Sequence, residues 1–463
     1  MERTKSCNSQ AIVGWLISFF ALSLCIRLAL VYALGATNFA QQSAHHEHES
    51  IAKNLALGNG FRFNFFGPDI ERPNLTSQQA PLVPGVLAAC YWSFGIETKS
   101  ALMAMLLIQI LISSATVVLL SLFAERTIHC GKIAGFLASF YPSLAISGLH
   151  VQALVWNLFW LSALLCAYSF LREDDRFRNI AFFCCASAGA LHTDPILGAV
   201  IAGLLALLCF DKGISGQTIR TVFLTALLIA VSIAPWTYRN YVVHGRWMLI
   251  KNSFWYVLWQ GNNAISQGTD KLLVPEAQTK SLESLWNPRA AQISASDVRK
   301  SSLSVNEALT SQEIHAMFSL DTECERMDWF RAKLLTELSA KPTHYLRMCI
   351  LRLSYWFWFD ATNPRSFLPS YRASYLALAC MALIGFALLR KRLGDLSPAI
   401  LAGIVLCMVH TLIITSARFR IPFELLLMLP ASYAIGVVIQ KMKAAVHRVV
   451  VRSANPLTPI RQS

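Results

Sequence analysis

An α-helical, multi-pass membrane protein is the fold class this sequence predicts, and three observations predict it. Hydrophobic residues make up 55% of the 463 residues and charged residues only 14%, too little charge for a soluble globular chain of this length. The mean hydropathy is +0.47, and several apolar runs approach or exceed the roughly 18 residues that mark a spanning helix. The Lys and Arg behind the net charge of +14 gather in short loops, as the positive-inside rule demands. No aromatic–basic motif accompanies them, so the charge speaks for topology and against a nucleic-acid partner.

The elements follow in order. A first span over 11–34 contains Arg27, and an arginine there has to face protein or a water-filled cavity. Its short basic leader, Arg3 and Lys5, has no small-residue cleavage site after it, so it reads as an uncleaved anchor. An outer loop runs to about residue 79, and the apolar piece 81–94, with Pro84 and Gly85 in it, is short for a span. Further spans are predicted over 101–123, 133–148 and 151–171. A kinked pair, 179–191 and 195–210, meets at His192-Thr193-Asp194-Pro195, and another span covers 222–236. The last three spans cover 371–389, 398–416 and 421–440. Keeping every basic loop inside gives about ten crossings (nine to twelve) with both termini cytoplasmic, provided that 81–94 dips or lies flat. The expected organisation is a transmembrane module over 1–236 with an outer loop at 35–80, an outer region at 237–370, spans at 371–440 and a basic tail at 441–463.

The outer region begins with APWTYRNYVVHG, 234–245, and continues into NSFWYVLWQGNN, 252–263, an aromatic run that reads as a strand. The stretch 278–311 reads as a surface excursion. A helix is predicted from Asp328, closed by Pro342. The segment after it mixes Arg347 and Arg352 with Trp356 and Trp358, which suits a helix in the interfacial plane with the arginines as anchors. The twelve cysteines are scattered and form neither a CxxC pair nor metal-ligand spacing.

Chemistry concentrates on the predicted outer face. In HHEHESIAKNLALGNGF, 45–61, Ile51, Ala52 and Leu55 recur at helical spacing, so a short helix lies on the membrane and stops at Gly58 and Gly60. Glu47 and Glu49 then stand at the bilayer edge, either as reactive carboxylates or as a solvated rim. His45, His46 and His48 invite a divalent ion, but adjacent positions do not share a helix face. Asp194 is either a polar contact for an acceptor or the N-cap of a helix that starts at Pro195. Arg239, Arg418 and Arg420 sit at predicted outer edges, where a guanidinium fork meets phosphate bidentately.

The ordered blocks resemble a known family. They are EHESIAKNLALGNGF at 47–61 with the Phe66-Gly67-Pro68 turn, APLVPGVLAACYWSFG at 80–95, APWTYRNYVVHG with the GNN turn at Gly261, and RFRIPFE at 418–424. Together they resemble the polyprenol-phosphate-sugar-dependent glycosyltransferases of the GT-C membrane fold, specifically the glycosyltransferase 39 group of protein O-mannosyltransferases and aminoarabinose transferases. That resemblance implies a GT-C bundle in the cell membrane. It would move a hexose- or pentose-type sugar from a polyprenyl-phosphate donor to a lipid, glycan or protein acceptor. It implies a catalytic carboxylate at Glu47, with Glu49 the other choice because the family's earlier Asp is missing here. It also implies substrate-binding roles for Arg239, Asn240, Asn262, Arg418, Arg420 and Asp194. Divalent metal dependence varies among relatives, so the cofactor stays open and no metal ligand is assigned. A lipid or sugar transporter or flippase would also explain the spans and Arg27. It predicts inverted repeats, and none is apparent. A structural scaffold leaves the carboxylate helix unexplained.

Overall fold

The computed structural model describes residues 2–35, 47–63, 74–273, 302–304 and 309–454. Seven of its helices are long and apolar enough to cross a membrane: Gln10–Ala33, Lys99–Ile128, Ala153–Glu173, Gly216–His244, Pro369–Leu389, Leu393–Leu412 and Ile421–His447. The chain is therefore a helical multi-pass membrane protein. The difference from about ten lies in broken elements. The kinked pair is present as Phe177–Thr193, of 17 residues, and Leu197–Lys212, of 16. The expected span 133–148 is broken at Pro142 into Gly131–Phe140 and Pro142–Ser147. The apolar piece forms the helix Leu82–Phe94 of 13 residues, about 20 Å long at 1.5 Å per residue against a hydrocarbon core of about 30 Å.

We number the helices used below α1 (Glu2–Ala33), α2 (Glu47–Ala56), α3 (Leu82–Phe94), α4 (Lys99–Ile128), α5 (Gly131–Phe140), α6 (Pro142–Ser147), α7 (Ala153–Glu173), α8 (Phe177–Thr193), α9 (Leu197–Lys212) and α10 (Gly216–His244). After them come α11 (Phe254–Asn262), α12 (Ser311–Phe318), α13 (Glu323–Ala340), α14 (Pro342–Phe357), α15 (Pro369–Leu389), α16 (Ser397–Leu412) and α17 (Ile421–Ala454). The main core joins Leu120 and Phe123 of α4, Leu161 and Leu165 of α7, Phe183 of α8 and Leu425 and Leu429 of α17. In lipid such packing depends on close approach at small residues. At Gly385 of α15 an added Cβ would lie 1.8 Å from the Pro430 carbonyl oxygen, so only glycine lets α15 cross α17 there. Arg27 does face protein: it is fully buried, and its Nε donates to Ser113 Oγ on α4 at 2.7 Å.

The region 237–370 departs from the sequence reading in its aromatic run. The aromatic run is not a strand but helix α11, because Tyr256 and Trp259 fall on one helical face and pack on Phe330 of α13. The GNN turn ends that helix against α16. An added Cβ at Gly261 would meet the Ile413 carbonyl oxygen at 2.2 Å, so the two backbones touch. α13 starts at a capping box between Thr322 and Glu325 and ends before Pro342, which opens α14. A ribbon of two three-residue strands, Lys271–Leu273 and Ser302–Ser304, pairs antiparallel. Most of the predicted excursion 278–311 lies outside the described residues, as do Phe66-Gly67-Pro68, His45 and His46.

Candidate active site

Helix α2 is held by what it buries. Ile51 and Ala52 have no exposure, and Ala52 packs with Val83, Leu87 and Tyr91 of α3. Acidic residues in a first turn suit the helix dipole, and Glu47 and Glu49 are both there. Two residues apart on a helix, they point to different sides, and their surroundings differ accordingly.

Glu47 is wired to its neighbours. The Gln79 amide donates a hydrogen bond to its Oε2, and Lys251 and Arg418 act on it through charge. Burial pushes its carboxyl above the ordinary carboxylate range, while Lys251, the Gln79 bond and Arg418 pull it back. Glu49 has none of this. It is 3% exposed and, among the described residues, neither of its oxygens finds a hydrogen-bond partner. Burial, and then the charge of Glu97, raises its carboxyl to about 8. Glu97 is itself occupied by Lys53 at 3.1 Å. A carboxyl in that state is protonated near neutrality and cannot accept a proton.

The two hairpin arginines also separate. Arg418 is half-exposed, 3.7 Å from Asp270, and on the side of Glu47. Arg420 is 2% exposed. Its Nε donates to Glu424 at 3.0 Å, another nitrogen donates to the Tyr371 hydroxyl at 2.8 Å, and a third donates to the Trp358 carbonyl. Its guanidinium lies 3.9 Å from the centre of the Tyr375 ring, and Tyr141 donates to Glu424 at 2.8 Å. Every edge of the Arg420 fork is engaged inside the protein.

Arg239 and Asn240 sit on α10, which runs through Pro235 to His244 rather than ending at the expected span boundary. Arg239 donates to the Thr76 carbonyl at 2.7 Å and to Ser77 Oγ at 2.9 Å, and stacks near Phe61 and Trp236. Asn240 is fully buried: its amide donates to the Met248 and Ile250 carbonyls, and its oxygen accepts from Ser77. Asn262 is likewise buried, donating to the Leu258 and Ile413 carbonyls and accepting from Arg352 at 3.0 Å. Arg352 itself is not an interfacial anchor. It is fully buried and donates to the Thr411 and Leu412 carbonyls at the end of α16, where a cation suits the helix dipole. Asp194 is half-buried between α8 and α9. It accepts from Ile196 N and Asn157 at 3.4 Å each, and its charge reaches His410. His410 is stacked between Phe419 and Trp356.

Of the residues singled out from sequence, then, Glu47 feels the charge of Arg418, while Arg239, Asn240, Asn262 and Arg420 are each enclosed by protein partners. Lys251 and Gln79 lie outside the residues that the sequence singles out. Lys251 was a lone cation before the aromatic run, the only signal it offered, and Gln79 offered none. Asp360, bonded by the Ala417 backbone, is 3% exposed and takes two hydrogen bonds from Thr362 on one oxygen. Among the described residues no three His, Cys, Asp or Glu side chains come together as a metal-holding group.

No protein-family model and no curated protein sequence matches this chain. Solved structures match it in shape. The oligosaccharyltransferase AglB of Archaeoglobus fulgidus, in complex with an inhibitory peptide and a dolichol-phosphate, superposes with a TM-score of 0.53 at 12% identity, over 96% of this chain and 52% of that one. Its apo form gives 0.53 at 13% identity, over 96% and 53%. The fold is GT-C. ArnT from Cupriavidus metallidurans overlays less well, with a TM-score of 0.36 at 15% identity over 92% of this chain and 78% of that one. The chain spans about half the length of the AglB structures it matches.

Proposed function

We propose that this protein is a membrane glycosyltransferase that moves a sugar from a polyprenyl-phosphate carrier to an acceptor hydroxyl at the outer face of the cell membrane. The observation that carries this reading is the Glu47 carboxylate, held by a hydrogen bond from Gln79 and within reach of the charges of Lys251 and Arg418, which come from distant parts of the chain. The GT-C fold shared with AglB, which was solved with a lipid phosphate, supports the same donor class.

The chemistry follows from charge. Glu47 accepts the acceptor's hydroxyl proton as the oxygen bonds to the anomeric carbon. The bond from that carbon to the phosphate oxygen breaks, and its electron pair leaves with the polyprenyl phosphate. Proton transfer of this kind contributes about 10²–10⁴-fold. The negative charge gathering on the phosphate is met by Lys251 and Arg418, where preorganised cations act most strongly in a partly desolvated site. The half-buried Asp194 is the candidate polar contact for the acceptor. In this reading the acid loop and the region 237–370 share the outer side, and both termini are cytoplasmic.

The test is chemical. Deleting the gene should make a lipid-linked sugar accumulate, and the purified protein should consume that lipid and release polyprenyl phosphate when acceptor membranes are supplied. Movement of the intact lipid-linked sugar across a vesicle bilayer, without release of phosphate lipid, would assign the protein to transport.

A further inference from the structure

Glu323 opens α13, far in sequence from Glu47, yet its carboxylate is spent on the turn that touches Glu47. Its Oε2 accepts from Thr76 Oγ1 at 2.6 Å, and its Oε1 accepts from the Ser77 backbone N–H at 3.1 Å and from the Asn252 amide at 3.2 Å. The turn is also gripped from α10: Arg239 donates to the Thr76 carbonyl, and Ser77 Oγ bonds Asn240 at 2.7 Å and His244 at 2.9 Å. The Asn252 N–H donates to the Ser77 carbonyl at 2.8 Å. Thr76 and Ser77 have no exposure, and the Glu323 side chain is only 11% exposed.

The wiring has two ends in the candidate site. Two residues beyond Ser77, Gln79 donates to Glu47; one residue before Asn252 stands Lys251. We infer that Glu323 is a positioning residue, the anchor of a buried hub that holds Gln79 and Lys251 in register with Glu47. This rests on the catalytic reading of Glu47 and adds to it a reason for the outer region: α13 sets the geometry of an acid on the first loop. A helix from the outer region that merely covered the site would need apolar contacts, not a carboxylate with three donors on it. Displacements of about 1 Å at a reacting group can cost about 10²-fold in rate, so the hub has a measurable lever.

Glu323→Gln replaces an acceptor oxygen with an NH₂ facing donors at Thr76, Ser77 or Asn252. The charged groups facing Glu47 are Lys251 and Arg418. Those facing Glu323 are Arg239, Arg326 and, at 3.9 Å, His244. Turnover and its pH profile should be measured for Glu323→Gln, Gln79→Leu, the pair combined, and Glu47→Gln. Turnover of Glu323→Gln is expected to fall by about 10- to 100-fold with the donor KM little changed. The acid limb is expected to move upward as it does in Gln79→Leu, because a hydrogen bond that favours the charged carboxylate is loosened in both. The pair combined should lose about as much as the worse single variant. An unmoved acid limb, or losses that multiply, would overturn the inference while leaving Glu47 untouched. Full activity in Glu47→Gln would instead overturn the catalytic reading. Should Glu323→Gln fail to accumulate, Thr76→Val removes one bond of the same hub without adding a mismatched donor, and the same shift is required of it.

Discussion

The two sides of helix α2 carry the same chemical group in different surroundings. On one side Glu47 meets an amide donor and two cations, which oppose the effect of its burial. On the other Glu49 is buried with, among the described residues, no hydrogen-bond partner for either oxygen, and its carboxyl rises to about 8. The comparison teaches that position on one helix does not set a carboxylate's surroundings; the partners supplied by distant segments do. The hairpin repeats the lesson. Arg418 pairs with Asp270 and its charge reaches Glu47, while Arg420, two residues on, is consumed by Glu424, Tyr371 and the Trp358 carbonyl.

Removing the wiring should make the Glu47 side resemble the Glu49 side. Arg418→Ala and Lys251→Ala are each expected to lower transfer by about 10²-fold, the scale of losing one preorganised charge contact. Both cations pull the Glu47 carboxyl down, so their loss lets burial raise it further, and the acid limb of the pH–rate profile should move to higher pH in both variants. An unmoved limb would separate the cations from Glu47.

Arg420→Ala should act on the protein rather than on the donor. It leaves Glu424 buried and uncompensated, a change that costs about 3–5 kcal/mol in comparable buried pairs. The expected result is a sharp fall in the amount of folded protein, largely recovered when Glu424→Gln is added. Normal abundance with weakened donor binding would instead make Arg420 a phosphate ligand.

The smallest effect belongs to Glu49. Its folded carboxyl titrates near 8 against an ordinary 4.5, so the folded state holds the extra proton between those values. Its contribution to stability is full below the ordinary value and is lost as pH rises through about 8. Glu49→Gln is therefore expected to melt like the wild type at pH 5 and several degrees higher at pH 9, read as the midpoint of heat-induced aggregation in detergent. Identical midpoints at pH 9 would mean that Glu49 has a partner.

The sequence made the helical membrane class legible because hydropathy is a local property. The break at Asp194-Pro195 was legible through proline, although Asp194 ends α8 instead of capping α9, whose N-cap is Ile196; the helix closed by Pro342 was legible from Asp328 on, while its start after Thr322 was not. Helix α11 was misread because valine, tryptophan and tyrosine favour strands locally, while packing of Tyr256 and Trp259 on Phe330 decides otherwise. The site was legible in part. Glu47 and Arg418 stood in recognisable blocks, but the bonds of Gln79 and Glu323 span about 30 to 250 positions, which no local pattern encodes. Arginine at a span end also looks the same in sequence whether it faces a ligand or, like Arg352, the end of a helix.

The most direct test sets the two acids against each other. Sugar transfer from the lipid-linked donor should be measured for Glu47→Gln and Glu49→Gln in membranes holding equal amounts of protein at pH 7. Glu47→Gln is expected to lose about 10²–10⁴-fold, and Glu49→Gln, which only fixes an already protonated group as neutral, to stay within a few-fold of wild type. Wild-type transfer by Glu47→Gln, or collapse of transfer in Glu49→Gln alone, would contradict the assignment.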